Sequence, residues 1–205
     1  MTFTRKLNRI IDPILNKIIV HPFLQKLTDG SLDQKIFHHY LVQDYYYLLE
    51  YTKALFELGE KAPFQNEKQF FNECVAGCKN EPAFEIRDLL INQKTPLTQA
   101  CANYIDFFKK HVVNHYELGV GAIFPCFYIY HLVAKKLNPN NKHHPYQTWF
   151  DIYTSDLFRV QNDRIVEILE RIYTNCRVEQ KTTLYKIIEE GAEHEWHFWD
   201  QSYRL

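Results

Sequence analysis

The sequence is short of the features that would mark several common classes of protein. It has no surplus of either charge: 24 Lys and Arg face 25 Asp and Glu, for a formal net charge of −1. Nucleic-acid binding domains usually carry a basic surplus or stripe, so a nucleic-acid partner is not expected. Glycine (6) and proline (8) are scarce among the 205 residues. That scarcity, with no sustained alternation of apolar and polar residues, argues against a turn-rich β protein. The longest apolar run, residues 119–134, falls short of the roughly 20 residues a membrane-spanning helix needs and contains His131. It is expected to be a buried core helix, and no membrane partner or signal peptide is expected. The five cysteines are odd in number, and the chain is long enough to fold without staples, so reduced thiols in a cytoplasmic protein are expected.

Metal-site signatures are missing too. No Glu lies three residues before a His, so the paired Glu-x-x-His pattern of helical di-iron bundles is absent, as is His-Glu-x-x-His. His111 and His115 have helical spacing but read as a pair meeting the dipole at a helix C-terminus. Cys74 and Cys78 lack a second ligand pair at zinc-finger spacing. There is no glycine-rich phosphate loop. No metal and no cofactor are expected.

What is present is helical periodicity and many rings. Hydrophobic residues make up 46% of the chain and aromatics 16%. The expected architecture is an all-α single domain over residues 1–205. Leu7, Ile10, Ile11, Ile14, Leu15 and Ile18 form one stripe, with Pro13 placed to kink or split it. Ser31-Leu32-Asp33-Gln34 has the form of a capping box opening a long helix to about Leu58. Further helices are expected over 63–79, closed by Pro82, and over 83–90. Thr98 is placed to cap a helix running to His111. The remaining helices are expected over 116–137, 145–158, 163–176 and 179–203. Pro125 lies inside the 116–137 helix and removes one backbone donor there.

Three constellations could carry chemistry. Asp44, Tyr47, Leu48 and Tyr51 share one face of an aromatic helix. Asp44 either faces solvent, which periodicity alone favours, or is buried among rings where it could hold an amino-bearing heterocycle. Cys126 and Tyr130, four residues apart, share a face just after Pro125. Cys126 is either a small core hydrophobe, the simpler reading, or a nucleophile with a nearby base. Glu195, in Glu193-His194-Glu195-Trp196-His197-Phe198-Trp199-Asp200, either belongs to an exposed acidic face or sits in an aromatic wall. In the second case its raised pKa would suit acid–base work near neutral pH.

Taken together, these segments resemble the TenA/THI-4 family over nearly the whole chain. His21-Pro22-Phe23 with Leu27, Gly30 and Leu32 resembles the family's opening motif. Tyr40, Gln43-Asp44 and Tyr47-Leu48 are similar to its second. Pro125-Cys126 through Tyr130 is similar to its cysteine helix, and Glu195 through Trp199 to its terminal one. The resemblance implies a heme-oxygenase-like helical bundle. It also implies hydrolysis of thiamin, or of an aminomethylpyrimidine derived from it, to 4-amino-5-hydroxymethyl-2-methylpyrimidine without metal or cofactor. By the same resemblance Cys126 adds to the pyrimidine, Glu195 shuttles protons and Asp44 binds the aminopyrimidine edge. Tyr47, Tyr104, Tyr130 and Tyr153 line or orient the pocket, and the protein is a homotetramer. Tyr128 stands where the family often has Trp, which bears on pocket shape alone. Two other readings on this scaffold are a non-catalytic pyrimidine- or thiamin-binding protein and a heme or di-iron oxidase.

Overall fold

The computed structural model describes residues 3–78 and 95–204. Its first helix, α1 (Phe3–Ile19), buries the predicted stripe, with Leu7, Ile11, Ile14, Leu15 and Ile18 in the core. Pro13 does not split the helix. It lies on the exposed face, where the carbonyl it leaves unpaired is open to water while the opposite face stays packed. In α2 (Pro22–Asp29), proline occupies the first turn, where no backbone donor is needed. The His21 ring caps this helix by accepting from the Phe23 N–H at 3.2 Å, and its other ring nitrogen lies 3.2 Å from Asp200. Gly30 ends the helix at φ +80°, a conformation that costs a residue with a Cβ.

The long helix α3 (Gln34–Lys61) starts from a different cap than expected. Asp33, not Ser31, accepts from the Lys35 N–H at 2.7 Å. The Asp29 side chain accepts from Ser31 N–H at 2.8 Å, which keeps Ser31 in the preceding turn. Next come α4 (Gln65–Cys78), α5 (Gln99–Asn114, capped by Thr98 as expected) and α6 (Tyr116–Leu137). The helix expected over 83–90 and its boundary at Pro82 lie outside the described residues.

The stretch 145–176 departs from the sequence reading. Its two helices are α7 (Gln147–Thr154) and α8 (Asp156–Asn175), with the break at Ser155. Ser155 Oγ donates to the Ile152 carbonyl at 2.7 Å and accepts from Phe158 N–H at 3.1 Å, so one hydroxyl closes one helix and opens the next. The apolar periodicity runs on across this corner and hid it. The last helix is α9 (Val178–Tyr203). The described residues contain helices and no strand.

α6 is the central helix, packed by α9, α5, α8, α7, α3 and α1. By length and composition it could cross a membrane, yet 67% of its apolar window is buried inside the bundle, as the sequence reading expected for a core helix. Its approach to α9 is set by small residues. A Cβ on Gly191 would lie 2.8 Å from Pro125 Cγ, and one on Gly121 2.6 Å from Leu184 Cδ1. Away from this seam, buried Glu67 of α4 ties three helices together. It pairs with Arg171 of α8 at 2.5 and 2.8 Å and accepts from Tyr116 Oη of α6 at 2.6 Å.

Candidate active site

The Pro125–Gly191 contact places Cys126 and Glu195 at the heart of the bundle. Cys126 follows Pro125 directly, and Glu195 lies one turn beyond Gly191 on the facing helix. Beside this seam is a cavity of about 370 Å³ among α3, α4, α6, α7 and α8. That volume falls in the range of small-molecule sites. Asp44, Cys126, Tyr130 and Tyr153 all reach its surface.

Two simpler readings of the sequence are thereby set aside. Asp44 is 5% exposed and lines the cavity, so it does not belong to a solvent face. From residue 40 to 51, α3 is buried around much of its perimeter, and a helix without a clear polar face gives periodicity nothing to read. Cys126 keeps part of its surface accessible, on the cavity wall, so it is more than core filling. Burial pushes its thiol pKa well up, and the nearby Glu195 adds to that; Tyr47 acts in the opposite direction. The resting group is a thiol, so use of this sulfur as a nucleophile would require its deprotonation during the step.

Tyr47, Tyr104 and Glu195 form a layer behind the cavity surface. Glu195 is 1% exposed and accepts from Tyr104 Oη at 2.6 Å. Burial pushes the carboxyl pKa up to about 8, against the downward pull of that hydrogen bond. At neutral pH Glu195 is therefore mainly the neutral acid, able to give a proton and take it back. The Tyr47 ring lies 4.9 Å from that of Tyr104 and 5.1 Å from that of Tyr51. The Tyr47 hydroxyl is buried without closing a hydrogen bond, although it is near enough to Cys126 to act on the thiol.

The sequence reading named Tyr130 and Tyr153 as pocket residues but gave the rings packed against them no role there. Tyr130 packs against Tyr153 and Trp199 at 4.8 and 4.9 Å, and Trp149 against Tyr153 at 4.8 Å. Tyr130 is fixed by a 3.2 Å contact between its hydroxyl and that of Tyr40, which also accepts from Trp149 Nε1 at 3.2 Å. Tyr40, quoted in the second motif, and Trp149 are both almost fully buried, and their hydrogen bonds link them to Tyr130. Phe127, Phe158 and Gln161 also line the cavity and carried no distinguishing signal in the sequence.

These features can be set beside known proteins. The model of the TENA/THI-4/PQQC family matches residues 9–205. An aminopyrimidine aminohydrolase of Halalkalibacterium halodurans is 26% identical over 99% of this chain and 96% of its own length. A thiamine biosynthesis multifunctional protein, ThiED, of Corynebacterium glutamicum is 28% identical over 98% of this chain; the chain spans only 27% of that relative's length. Among solved structures, a TenA homologue from P. horikoshii superposes with a TM-score of 0.82 at 26% identity, covering 100% of this chain and 99% of that one. A Shewanella denitrificans domain described as having a heme oxygenase-like fold superposes at 0.69 with 14% identity, covering 98% and 90%. The bundle therefore has the heme-oxygenase-like fold, and the chain belongs to the TENA/THI-4/PQQC family.

Proposed function

We propose that the protein is a hydrolase acting on C–N bonds, a thiaminase II or aminopyrimidine aminohydrolase, with Cys126 as nucleophile and Glu195 as acid–base. The observation that carries this reading is the neutral, buried Glu195 on the helix facing Cys126, beside a ring-lined cavity that also holds Asp44. Asp44 holds the amino edge of the pyrimidine, and Tyr47, Tyr104, Tyr130 and Tyr153 orient the ring or the catalytic pair.

The chemistry balances as a substitution by water. The thiol adds to the pyrimidine, its sulfur bonding to a ring carbon and its proton passing to a ring nitrogen. The bond from the exocyclic methylene to the leaving nitrogen breaks, and the nitrogen keeps the electron pair. An amine leaving group also takes the proton of Glu195; the thiazolium of thiamin leaves neutral and needs none. Water adds to the methylene, its proton going to the carboxylate or, for thiamin, to solvent. Loss of sulfur, with return of the ring proton, gives the hydroxymethylpyrimidine and free Cys126. Dividing one displacement into addition and elimination lowers each barrier. We further propose that residues 1–205 act as one cytoplasmic domain assembled as a homotetramer, which light scattering on the purified protein tests.

The test is product formation. Purified protein is incubated with thiamin and, separately, with 4-amino-5-aminomethyl-2-methylpyrimidine, and the hydroxymethyl product is followed by chromatography. Wild type forms it and Cys126→Ala loses at least about 10³-fold. No product from either compound sinks the hydrolase reading in favour of a pyrimidine-binding protein on the same fold.

A further inference from the structure

The cavity offers more than a pyrimidine can use. About 370 Å³ equals the liquid volume of about a dozen waters at ~30 Å³ each. A single substituted pyrimidine ring leaves part of that space over. Beyond the aromatic rings the wall continues onto α4 and α8, where Gly77 and Gln161 both line the cavity.

Gln161 is 9% exposed, and its side-chain amide makes no hydrogen bond to any described residue. Its Nε2 lies over Gly77, 3.4 Å from where a Cβ on that residue would stand. A primary amide offers two donors and an acceptor, and these border the cavity without a partner among the described residues. Gln147, by contrast, donates to both Asn138 and Asp151. An amide that borders a cavity and has no partner among the described residues is poised for a ligand.

We propose that Gln161, facing Gly77, forms a second subsite that receives the fragment displaced from the pyrimidine methylene and hydrogen-bonds a neutral polar group on it, such as a hydroxyl. This rests on the hydrolase reading above and sharpens it. The site is built for substrates whose leaving group is a ring or chain of several heavy atoms, as in thiamin with its hydroxyethyl-bearing thiazolium, rather than for ammonia alone. Gly77 leaves space beside the amide: a methyl there would come into ordinary contact with Gln161 Nε2 at 3.4 Å, and a larger side chain would fill the gap.

The test compares two leaving groups in one active site. Gln161→Leu, close in size and without the amide, lowers kcat/KM for thiamin by roughly three- to tenfold, chiefly through KM, as expected for one hydrogen bond. It leaves kcat/KM for the aminomethylpyrimidine within twofold. The apo variant melts at the same temperature as wild type or higher, since an unmatched amide has been removed. Gly77→Ala shifts the substrate ratio in the same direction. Equal losses on both compounds, or no loss on thiamin, overturn the subsite. If wild type turns over neither compound, the hydrolase reading fails by itself, and titration calorimetry of thiamin against wild type and Gln161→Leu still decides the subsite: weaker binding to the variant supports it and equal binding overturns it.

Discussion

Replacing Glu195 with glutamine preserves the side chain's shape and its capacity to accept from Tyr104, and removes one titration. In the native protein this carboxyl has its pKa raised from 4.5 to about 8, with burial as the main cause. A raised folded-state pKa means that the native state holds the proton more tightly than the unfolded chain does. The resulting stability is fully present below about pH 4.5 and is lost as pH rises towards 8. At about 1.36 kcal/mol per pH unit, the loss approaches about 5 kcal/mol above pH 8. Relaxation of the native state and entry of water on ionisation make that figure a ceiling. The amide of Glu195→Gln never ionises, so the variant escapes the loss. With about 2–4 °C of melting temperature per kcal/mol in a chain of this size, the variant should melt above wild type at pH 9, by up to about 10–20 °C. The two should converge at pH 5. Scanning calorimetry from pH 5 to 9 reads this directly, and the difference between the proteins cancels every other titrating group. A constant gap over the whole range would mean that Glu195 is not held neutral by burial, and its role as an acid would fall with it. Activity should move the opposite way, with the variant losing about 10²–10⁴-fold in turnover of an amine-leaving substrate.

Three further outcomes follow from the same geometry. Tyr104→Phe removes the hydrogen bond that pulls the Glu195 pKa down, so the alkaline limb of kcat against pH, near 8 in wild type, should move to higher pH; a limb that stays put would place it on another group. Gly191→Ala sets a methyl 2.8 Å from Pro125 Cγ, which should cost about 1–3 kcal/mol in denaturant titration. It should lower kcat as well, because the displaced pair of helices carries Cys126 and Glu195. Glu67→Ala leaves Arg171 and the Tyr116 hydroxyl without their partner, and none of the three lines the cavity. It should cost about 3–5 kcal/mol of stability while kcat near 25 °C stays within about twofold of wild type.

Much of this protein was legible as sequence because helices are local. Spacing alone marks the buried stripe of α1, Thr98 marks the start of α5, and the apolar run around Pro125 marks the central helix, each decided by neighbours within a turn or two. The motifs around Cys126 and Glu195 could be recognised, but the residues by themselves left each with two readings. Three-dimensional packing is what puts Glu195 in the interior and Cys126 on a cavity wall. A carboxylate becomes an acid of pKa about 8 only when other helices strip water from it, and α9 can approach Cys126 only because Gly191 lets Pro125 in. Asp44, Cys126, Tyr130 and Tyr153 come from three helices spread over more than a hundred residues, so no local pattern could show that they share one cavity. Caps such as Asp33 and Ser155 went unread because Ser31 and continuing periodicity offered equally good local answers. Gln161 carried no local signal, since its lack of a partner among the described residues depends on where the other helices lie.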